Sequence, residues 1–272
     1  MHLGATLRLL RVDAGVSLRD MARRIGVSSA YLSRVEHGVD APPTAERLAA
    51  IARELDVPPA LLMDVANRVN PYVADYLEAV PGAGTLLLEM ARRRLSGGQL
   101  ARVRAFLDEE FPVRGEPVDA GVPALAPLLS PERIVLQLSY EDREDLLDLV
   151  AGRLASAVPG GDAKVLAEAL RQCADESSFT VGGEVAVLHA AVPDVEPVAA
   201  LVTLARGLKV ETPDDRPPRV LVAAVDGARG RARLVRMAHV ARLAARGLSE
   251  RLSEARQPAQ VLAVLEELEA LR

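Results

Sequence analysis

Residues 17 to 38 read SLRDMARRIGVSSAYLSRVEHG, and this stretch decides the fold of the first part of the chain. Ser17 is a natural helix N-cap, because its hydroxyl can accept a hydrogen bond from an early backbone amide. The apolar residues that follow recur at helical spacing. Gly26 predicts the end of that helix, since glycine adopts the left-handed conformation at little cost. Ser28 predicts the cap of a second helix. The stretch therefore predicts two short helices joined by a turn.

The outer side of the second helix is short and polar, which suits a helix that lies in the major groove of DNA. We expect Arg34 to contact a base or a phosphate. Arg19 and Arg23 on the preceding helix are expected to touch the DNA backbone, although an ordinary solvated face would explain them equally well. Tyr31 is either a phosphate donor or the edge of the core. The predicted DNA-binding residues are Arg19, Arg23, Ser28, Ser29, Ala30, Tyr31, Ser33 and Arg34.

Further helices are predicted on both sides, and together they carry a family resemblance. The segment LRLLRVDAGVSLRDMARRIGVSSAYLSRVEHGVDAPPTAERLAAIARELDVPPALLM resembles the Xre/Cro repressor type of helix-turn-helix domain along its whole length. The resemblance implies a five-helix domain that binds operator DNA, usually as a dimer, with the helix from Ser28 to His37 in the groove. We assign this domain to residues 1–66.

Residues 67–113 predict a helical extension divided by Pro81-Gly82 and by Ser96-Gly97-Gly98. Its apolar stripes are too large for such short helices to satisfy alone. They are expected either to pack onto the first domain or to form a dimer interface. Residues 114–130 are rich in Pro, Gly and Ala and predict a linker.

From residue 131 to residue 272, strand-like and helix-like segments alternate. Ile134 to Leu138 predicts a strand, and Ser139 is expected to cap the long helix that follows. Later β-branched segments predict central strands of a covered sheet. The expected fold class is multidomain: an all-α N-terminal helix-turn-helix domain with a helical extension, and an α/β C-terminal domain with a mixed sheet covered by helices.

Two histidines of this C-terminal segment suggest chemistry. His189 is expected to end a strand, and His239 lies in a helix predicted to begin near Arg231. A neutral imidazole is a good nucleophile near pH 7, and a phosphoryl group transferred to it needs a hydrogen-bond donor nearby. A second histidine is suited to that role.

The segment 131–272 resembles the IIA component of the bacterial phosphotransferase system, of the mannitol, fructose and nitrogen-related class. The resemblance is carried by VGGEVAVLH, which ends at His189, and by HVARLA, which begins at His239. It implies that His189 is a phosphoacceptor and that His239 lies beside it as its partner. The sequence departs from the family pattern at Leu188, where a proline is usual, and at Cys173-Ala174, where an Arg-Glu pair is usual.

Composition adds few constraints. The net charge is −5, and residues 1–65 hold eight arginines and eight acidic residues, so DNA binding must depend on where the arginines lie. Cys173 is the only cysteine, which excludes a disulfide framework and a metal cluster of cysteines. No signal pattern or apolar segment long enough for a membrane span occurs. We therefore expect a cytoplasmic protein. We also expect no metal or cofactor, and no enzyme activity apart from the acceptance of a phosphoryl group at His189.

These observations favour a bacterial transcriptional regulator whose IIA-like domain senses phosphotransferase or metabolic state, with phosphorylation of His189 as the expected signal. The expected partners are double-stranded operator DNA, a phosphocarrier protein and a second copy of the chain, with no membrane. One alternative is a degenerate IIA-like domain that serves only dimerisation or partner binding. Another is a phosphotransferase component that relays phosphate from His189 to a separate acceptor.

Overall fold

The computed structural model describes residues 2–68, 71–111, 124–176, 179–193, 195–210, 212, 214–227 and 230–270 of the 272-residue chain. Residues 112–123, which include much of the predicted linker, lie outside the described residues. Within the described part, no helix is both long and apolar enough to cross a membrane.

The chain begins with five helices whose ends follow from their capping residues. Ser17 and Ser28 accept hydrogen bonds from the backbone amides of Asp20 and Tyr31, at 3.1 Å each, as expected for N-caps. Gly26 has a φ of +70°, so it ends its helix in the left-handed conformation predicted for it. The helices are α1 (His2–Asp13), α2 (Leu18–Arg24), α3 (Ser29–Glu36), α4 (Ala45–Glu54) and α5 (Pro59–Val65).

Three more helices form the extension: α6 (Pro71–Ala79), α7 (Ala83–Arg92) and α8 (Gly97–Glu110). Ser96 forms a capping box with Gln99 at the start of α8, and this box fixes the turn predicted there. Much of the apolar surface of these helices is exposed, although α8 also contacts the last helix of the chain.

The C-terminal part is a five-stranded sheet covered by helices. Its strands are β1 (Ile134–Leu138), β2 (Thr180–Gly182), β3 (Val185–Ala191), β4 (Val198–Leu204) and β5 (Val220–Asp226). Their order in the sheet is β1-β4-β5-β3-β2. β1 and β4 are parallel, as are β3 and β5, whereas β4 pairs with β5 and β2 pairs with β3 in the antiparallel sense. The sheet is therefore mixed, as predicted.

The helices of this part are α9 (Arg143–Ala155), α10 (Ala163–Glu176), α11 (Arg231–Ala245), α12 (Leu248–Leu252) and α13 (Pro258–Ala270). α9 and α10 cover one face of the sheet, in a core that contains Leu188. The other face, with Val185 and Val187, shares a continuous core with α11 to α13 and with the first five helices. The N-terminal helices are thus packed directly on the second domain.

Two sequence predictions were wrong in this part. The helix after β1 begins at Arg143, and its cap is Asp142, which accepts a hydrogen bond from the Asp145 amide at 3.0 Å, and not Ser139. The end of the predicted linker is not a linker either, since Leu125 and Leu129 are buried in the core. Their burial adds apolar area to the interior, which outweighs the loop tendency of the prolines around them.

Candidate functional site

The helix predicted to enter the DNA groove presents the expected outer side. Leu32 and Val35 are buried beneath α3, whereas Ala30 and Arg34 are exposed and Ser29 is half-buried. Ser28 lies exposed at its N-terminal end, and Ser33 is partly exposed. Small side chains on this side allow the helix backbone to approach another surface closely.

Arg34, the strongest candidate on that side, is held by an ion pair within the domain. Its Nε atom lies 3.0 Å from Oδ1 and 3.1 Å from Oδ2 of Asp40. The hydrogen bond and the charge of Asp40 raise the pKa of Arg34 further above its ordinary value. A phosphate or a base must therefore compete with Asp40 for this guanidinium.

The neighbouring cations differ in their availability. Arg23 pairs with Asp20 at 2.5 Å, and both side chains are substantially exposed. The Arg19 side chain is exposed and makes no hydrogen bond or ion pair with the described residues. Arg47 at the start of α4 lies over the ring of Tyr31, with its Cζ atom 5.3 Å from the ring centroid. Sequence reasoning missed Arg47, since only the tertiary fold brings it to Tyr31, which lies 16 positions earlier in the chain.

A second cluster of functional side chains surrounds His189. This residue is the fifth of seven in β3, and not at its end as predicted. The short edge strand β2 pairs only with the first residues of β3, so its cover stops before His189. Side chains from α1, α10 and α11 meet at that uncovered edge. They border a cleft of about 340 Å³.

Both ring nitrogens of His189 are engaged. Nε2 lies 2.9 Å from Oδ1 of Asp13 at the end of α1, and Nδ1 lies 3.4 Å from Sγ of Cys173 on α10. Oδ2 of Asp13 also accepts hydrogen bonds from Arg233 on α11, from Nε at 2.8 Å and from Nη2 at 2.6 Å. One carboxylate therefore bridges His189 and Arg233.

These contacts set the charge of the cluster. Burial lowers the pKa of His189, but its hydrogen bonds to Asp13 and Cys173 outweigh burial and raise that pKa to about 9. Burial likewise raises the pKa of Asp13, yet the hydrogen bond and charge of His189, with those of Arg233, hold it below its usual value. At neutral pH His189 is thus an imidazolium that faces a carboxylate.

Two protein families match the chain. Residues 2–64 match a helix-turn-helix domain family, and residues 127–268 match the family described as phosphoenolpyruvate-dependent sugar phosphotransferase system, EIIA 2. The second match spans just over half of the chain. The chain belongs to the EIIA 2 family. Below, residues 2–64 are called the helix-turn-helix domain and residues 127–268 the IIA domain.

Individual proteins are similar to each part. Uncharacterized HTH-type transcriptional regulators from two strains of Mycobacterium tuberculosis are 41% identical over 68 residues, which are 25% of this chain and 48% of each relative. The chain thus spans about half the length of the curated relatives it matches. The crystal structure of nitrogen regulatory protein IIA-Ntr from Neisseria meningitidis covers 52% of this chain and 97% of its own, with 17% identity and a TM-score of 0.46.

The structure gives His239 different contacts from those expected beside His189. Its Nε2 lies 2.6 Å from Oε1 of Glu269, and its Nδ1 lies 2.9 Å from Nη2 of Arg242. The tautomer that satisfies both contacts carries its proton on Nε2. Oε1 of Glu269 also accepts a hydrogen bond from the Leu125 amide at 2.6 Å. His239, only 1% exposed, therefore holds together α11, α13 and the segment that enters the IIA domain.

The α11 residue that lies at the His189 cluster is Arg233, which sequence reasoning missed together with Asp13. His239 follows Arg233 by six positions, or more than one and a half turns along the helix, so it lies farther along α11. In the structure the side chain of His239 contacts Glu269 and Arg242, where a contact with His189 was expected. Phosphoryl transfer at either histidine stays a prediction.

The helix-turn-helix domain contacts the IIA domain through several salt bridges. Apart from Asp13, Asp64 on α5 lies 2.8 Å from Nη2 of Arg246, and Asp56 lies 3.1 Å from Nε of Arg231. In each pair the carboxylate belongs to the helix-turn-helix domain and the arginine to the IIA domain. The outer side of α3 remains exposed in this docked arrangement.

The pKa of His189 predicts that docking depends on pH. Asp13 and Cys173 together raise this pKa from 6.5 to about 9, and only the part due to Asp13 depends on docking; that part strengthens docking while His189 is protonated and is lost as the pH rises through 9. Asp13, whose pKa is lowered, contributes above pH 3.8 and loses that contribution as the pH falls through its docked pKa. Docking should therefore be strongest at about pH 5 to 6.

Energy transfer between dyes on Arg53→Cys and Val165→Cys measures this dependence, since both positions are exposed whereas Cys173 is buried. We expect transfer to fall between pH 6.5 and 9 in the otherwise unchanged chain. His189→Gln, which does not titrate, should show no fall in that range. Equal falls in both chains would contradict the assignment to His189.

Proposed function

We propose that this chain is a transcriptional regulator whose DNA affinity responds to phosphorylation of His189 by a phosphocarrier protein. The fused helix-turn-helix and IIA domains support a regulator with a phosphotransferase input. The observation that carries the proposal is the bond between His189 and Asp13, because it joins the histidine of the IIA domain directly to a helix of the DNA-binding domain. A change in the charge of His189 therefore acts directly on the domain that binds DNA.

The test is phosphoryl transfer to the full chain. The phosphocarrier protein of the host, charged by its own kinase with radiolabelled phosphoenolpyruvate, should label the chain with an acid-labile phosphate. His189→Gln should remain unlabelled, while His239→Gln should keep the label, because His239 is occupied by Glu269 and Arg242. No label on the native chain or on Asp13→Asn would contradict the proposal.

A degenerate IIA domain is the second candidate, and the occupation of both nitrogens of His189 favours it. An imidazolium bound to Asp13 and Cys173 has no lone pair to offer a phosphoryl group in this arrangement. In that case the IIA domain holds the helix-turn-helix domain in place and binds partners. Operator control unchanged by His189→Ala in cells would favour this candidate. A relay role requires transfer of phosphate from His189 to a separate acceptor.

We also propose that the chain works as a homodimer through the α6 to α8 extension. Large apolar side chains are exposed there, and a second copy would bury them while supplying the second helix needed for a symmetric operator. They are Val73, Tyr76, Val80, Leu86, Leu87, Leu88, Phe106, Leu107 and Phe111.

Leu86→Glu or Phe106→Glu should weaken the dimer by about tenfold or more, because a charge would be buried in an apolar contact. Sedimentation of the full chain at micromolar concentrations measures the effect. Val165→Glu is the matched control, since Val165 is equally exposed but lies on α10. If the Val165 variant dissociated as much as the others, or if none dissociated, the extension would not be the interface.

Asp40→Asn should tighten DNA binding by removing the competitor of Arg34. The substitution frees the guanidinium and removes a negative charge from the DNA-facing side, so affinity should rise roughly threefold to tenfold at low salt, with a steeper salt dependence. Fluorescence anisotropy with a duplex operator measures both quantities. Asp108→Asn, an equal charge change on α8, should leave affinity nearly unchanged. Equal effects of the two variants would contradict a direct role for Arg34.

A further inference from the structure

The helix-turn-helix domain covers the nitrogen of His189 that faces away from the IIA domain. Nδ1 points at Cys173, a buried residue of α10 within the IIA domain. Nε2 points out of that domain, and the atom in front of it is Oδ1 of Asp13. Any molecule that reaches His189 from outside the IIA domain must approach the position that the end of α1 now occupies.

Asp13 is fixed in that position. Its side chain is 6% exposed, and Arg233, which holds its second oxygen, is 7% exposed. Arg233 also donates a hydrogen bond to the backbone carbonyl of Asp13 at 3.2 Å. The cleft beside His189 leaves Nε2 behind Asp13, and a rotation of the Asp13 side chain would break its bonds to Arg233, so access to Nε2 requires α1 to move away.

We propose that the docked helix-turn-helix domain and a phosphoryl group on His189 exclude one another, so that the DNA-binding domain is a built-in inhibitor of phosphoryl transfer and is released by it. This inference rests on the proposed function, because it takes His189 as the acceptor. It adds the means by which the signal reaches the DNA-binding domain. It also assigns Asp13 and Arg233 as the positioning residues of the exchange.

In this exchange a phosphoryl group passes from the phosphohistidine of the carrier to His189. The N–P bond of the phosphocarrier's phosphohistidine breaks as a bond from phosphorus to Nε2 of His189 forms. The imidazolium of His189 first loses its proton to solvent, and the carrier's histidine regains a lone pair. The new group is strongly negative and repels the carboxylate of Asp13. Arg233 then exchanges Asp13 for the phosphoryl oxygens, which guanidinium groups bind well.

The polar contacts in the rest of the interface oppose release only weakly, and the main resistance comes from the apolar core that the two domains share. The carboxylates of the other salt bridges are more open to water, with Asp56 75% exposed and Asp64 36% exposed, although Asp64 also lies 3.6 Å from Arg242, which is 1% exposed. Of these three carboxylates, Asp13 is the most buried, with 6% of its side chain exposed. By linkage, docking must lower the equilibrium constant for phosphorylation of His189 by the same factor by which phosphorylation lowers the equilibrium constant for docking.

The first measurement places a negative charge at position 189 without phosphorylation. His189→Glu should open the full chain, seen as lost energy transfer between dyes on Arg53→Cys and Val165→Cys. His189→Gln, neutral and of the same size as the glutamate variant, should open the chain no more than deprotonation of His189 does at high pH. Circular dichroism must show that both variants are folded. If His189→Glu stays as closed as His189→Gln, the inference is overturned.

The second measurement tests the inhibition. Asp13→Asn should accept phosphate from the charged phosphocarrier about tenfold faster than the native chain or more, because a larger fraction of that variant is in the open form that the carrier can reach. Asp56→Asn, a variant of an exposed pair in the same interface, should accept it at the native rate. Equal rates for all three labelled chains would overturn the inference. Absence of label on every chain would overturn the proposed function, while the energy-transfer result still decides whether charge at position 189 releases the domain.

Discussion

Glu36→Ala is expected to lower the stability of the helix-turn-helix domain by about 3 to 5 kcal/mol, the usual cost of leaving a buried charge without its partner. Glu36 lies at the end of α3 and binds Arg11 of α1 through both oxygens, at 2.6 Å and 2.7 Å. The Glu36 side chain is 3% exposed and that of Arg11 is 11% exposed. The pair therefore fixes α3 relative to α1, the helix that carries Asp13.

Urea denaturation of the full chain, followed by circular dichroism, measures the loss, and operator binding should weaken with it. Glu54→Ala is the matched control. Glu54 pairs with Arg24 at 3.4 Å, but both side chains are at least one third exposed, so this variant should lose less than about 1 kcal/mol. Similar losses in the two variants would show that burial of the Arg11–Glu36 pair does not matter.

Asp13→Asn is expected to separate the two domains. The variant keeps the shape of the side chain but leaves Arg233 and the protonated His189 together in a closed interface without their carboxylate. Such a loss costs about 3 to 5 kcal/mol, a shift of about a hundredfold or more in the docking equilibrium. Because the separated domains can hydrate both groups, the loss should appear as opening of the chain and not as unfolding of either domain.

Energy transfer between the two domains detects this opening, and circular dichroism should stay native. Asp56→Asn removes the partner of Arg231 in the same interface, where water already reaches both groups. That variant should remain docked. A docked Asp13→Asn chain, with transfer equal to that of Asp56→Asn, would mean that apolar contacts alone hold the domains together.

Local features of the fold could be predicted from sequence because they depend on neighbouring residues. Ser17 and Ser28 cap their helices as predicted, and Gly26 ends α2 with a positive φ. The strand β1 (Ile134–Leu138) has its predicted limits, since a short apolar, β-branched segment suits a strand. These signals lie within a few positions of one another in the chain.

The candidate site could be predicted only in part, because it is assembled by tertiary packing. Asp13 and Arg233 are 220 positions apart, and neither occurs in a motif. Only the docking of α1 against α11 brings them to His189. His239 was assigned by its motif, yet its contacts are with Glu269 and Arg242, because position and direction along α11 decide what a side chain meets.

The most direct test of the account compares operator affinity before and after phosphorylation of the full chain. The probe is a duplex selected from a random pool by the unphosphorylated protein, and anisotropy gives its affinity for both forms. In the proposed homodimer, release of the helix-turn-helix domains removes the fixed arrangement of the two α3 helices on one operator, so phosphorylation should weaken binding by about tenfold or more. His189→Gln, treated identically, should not change. Equal operator affinities of the phosphorylated and unphosphorylated chain would contradict the proposal that phosphorylation of His189 controls DNA binding.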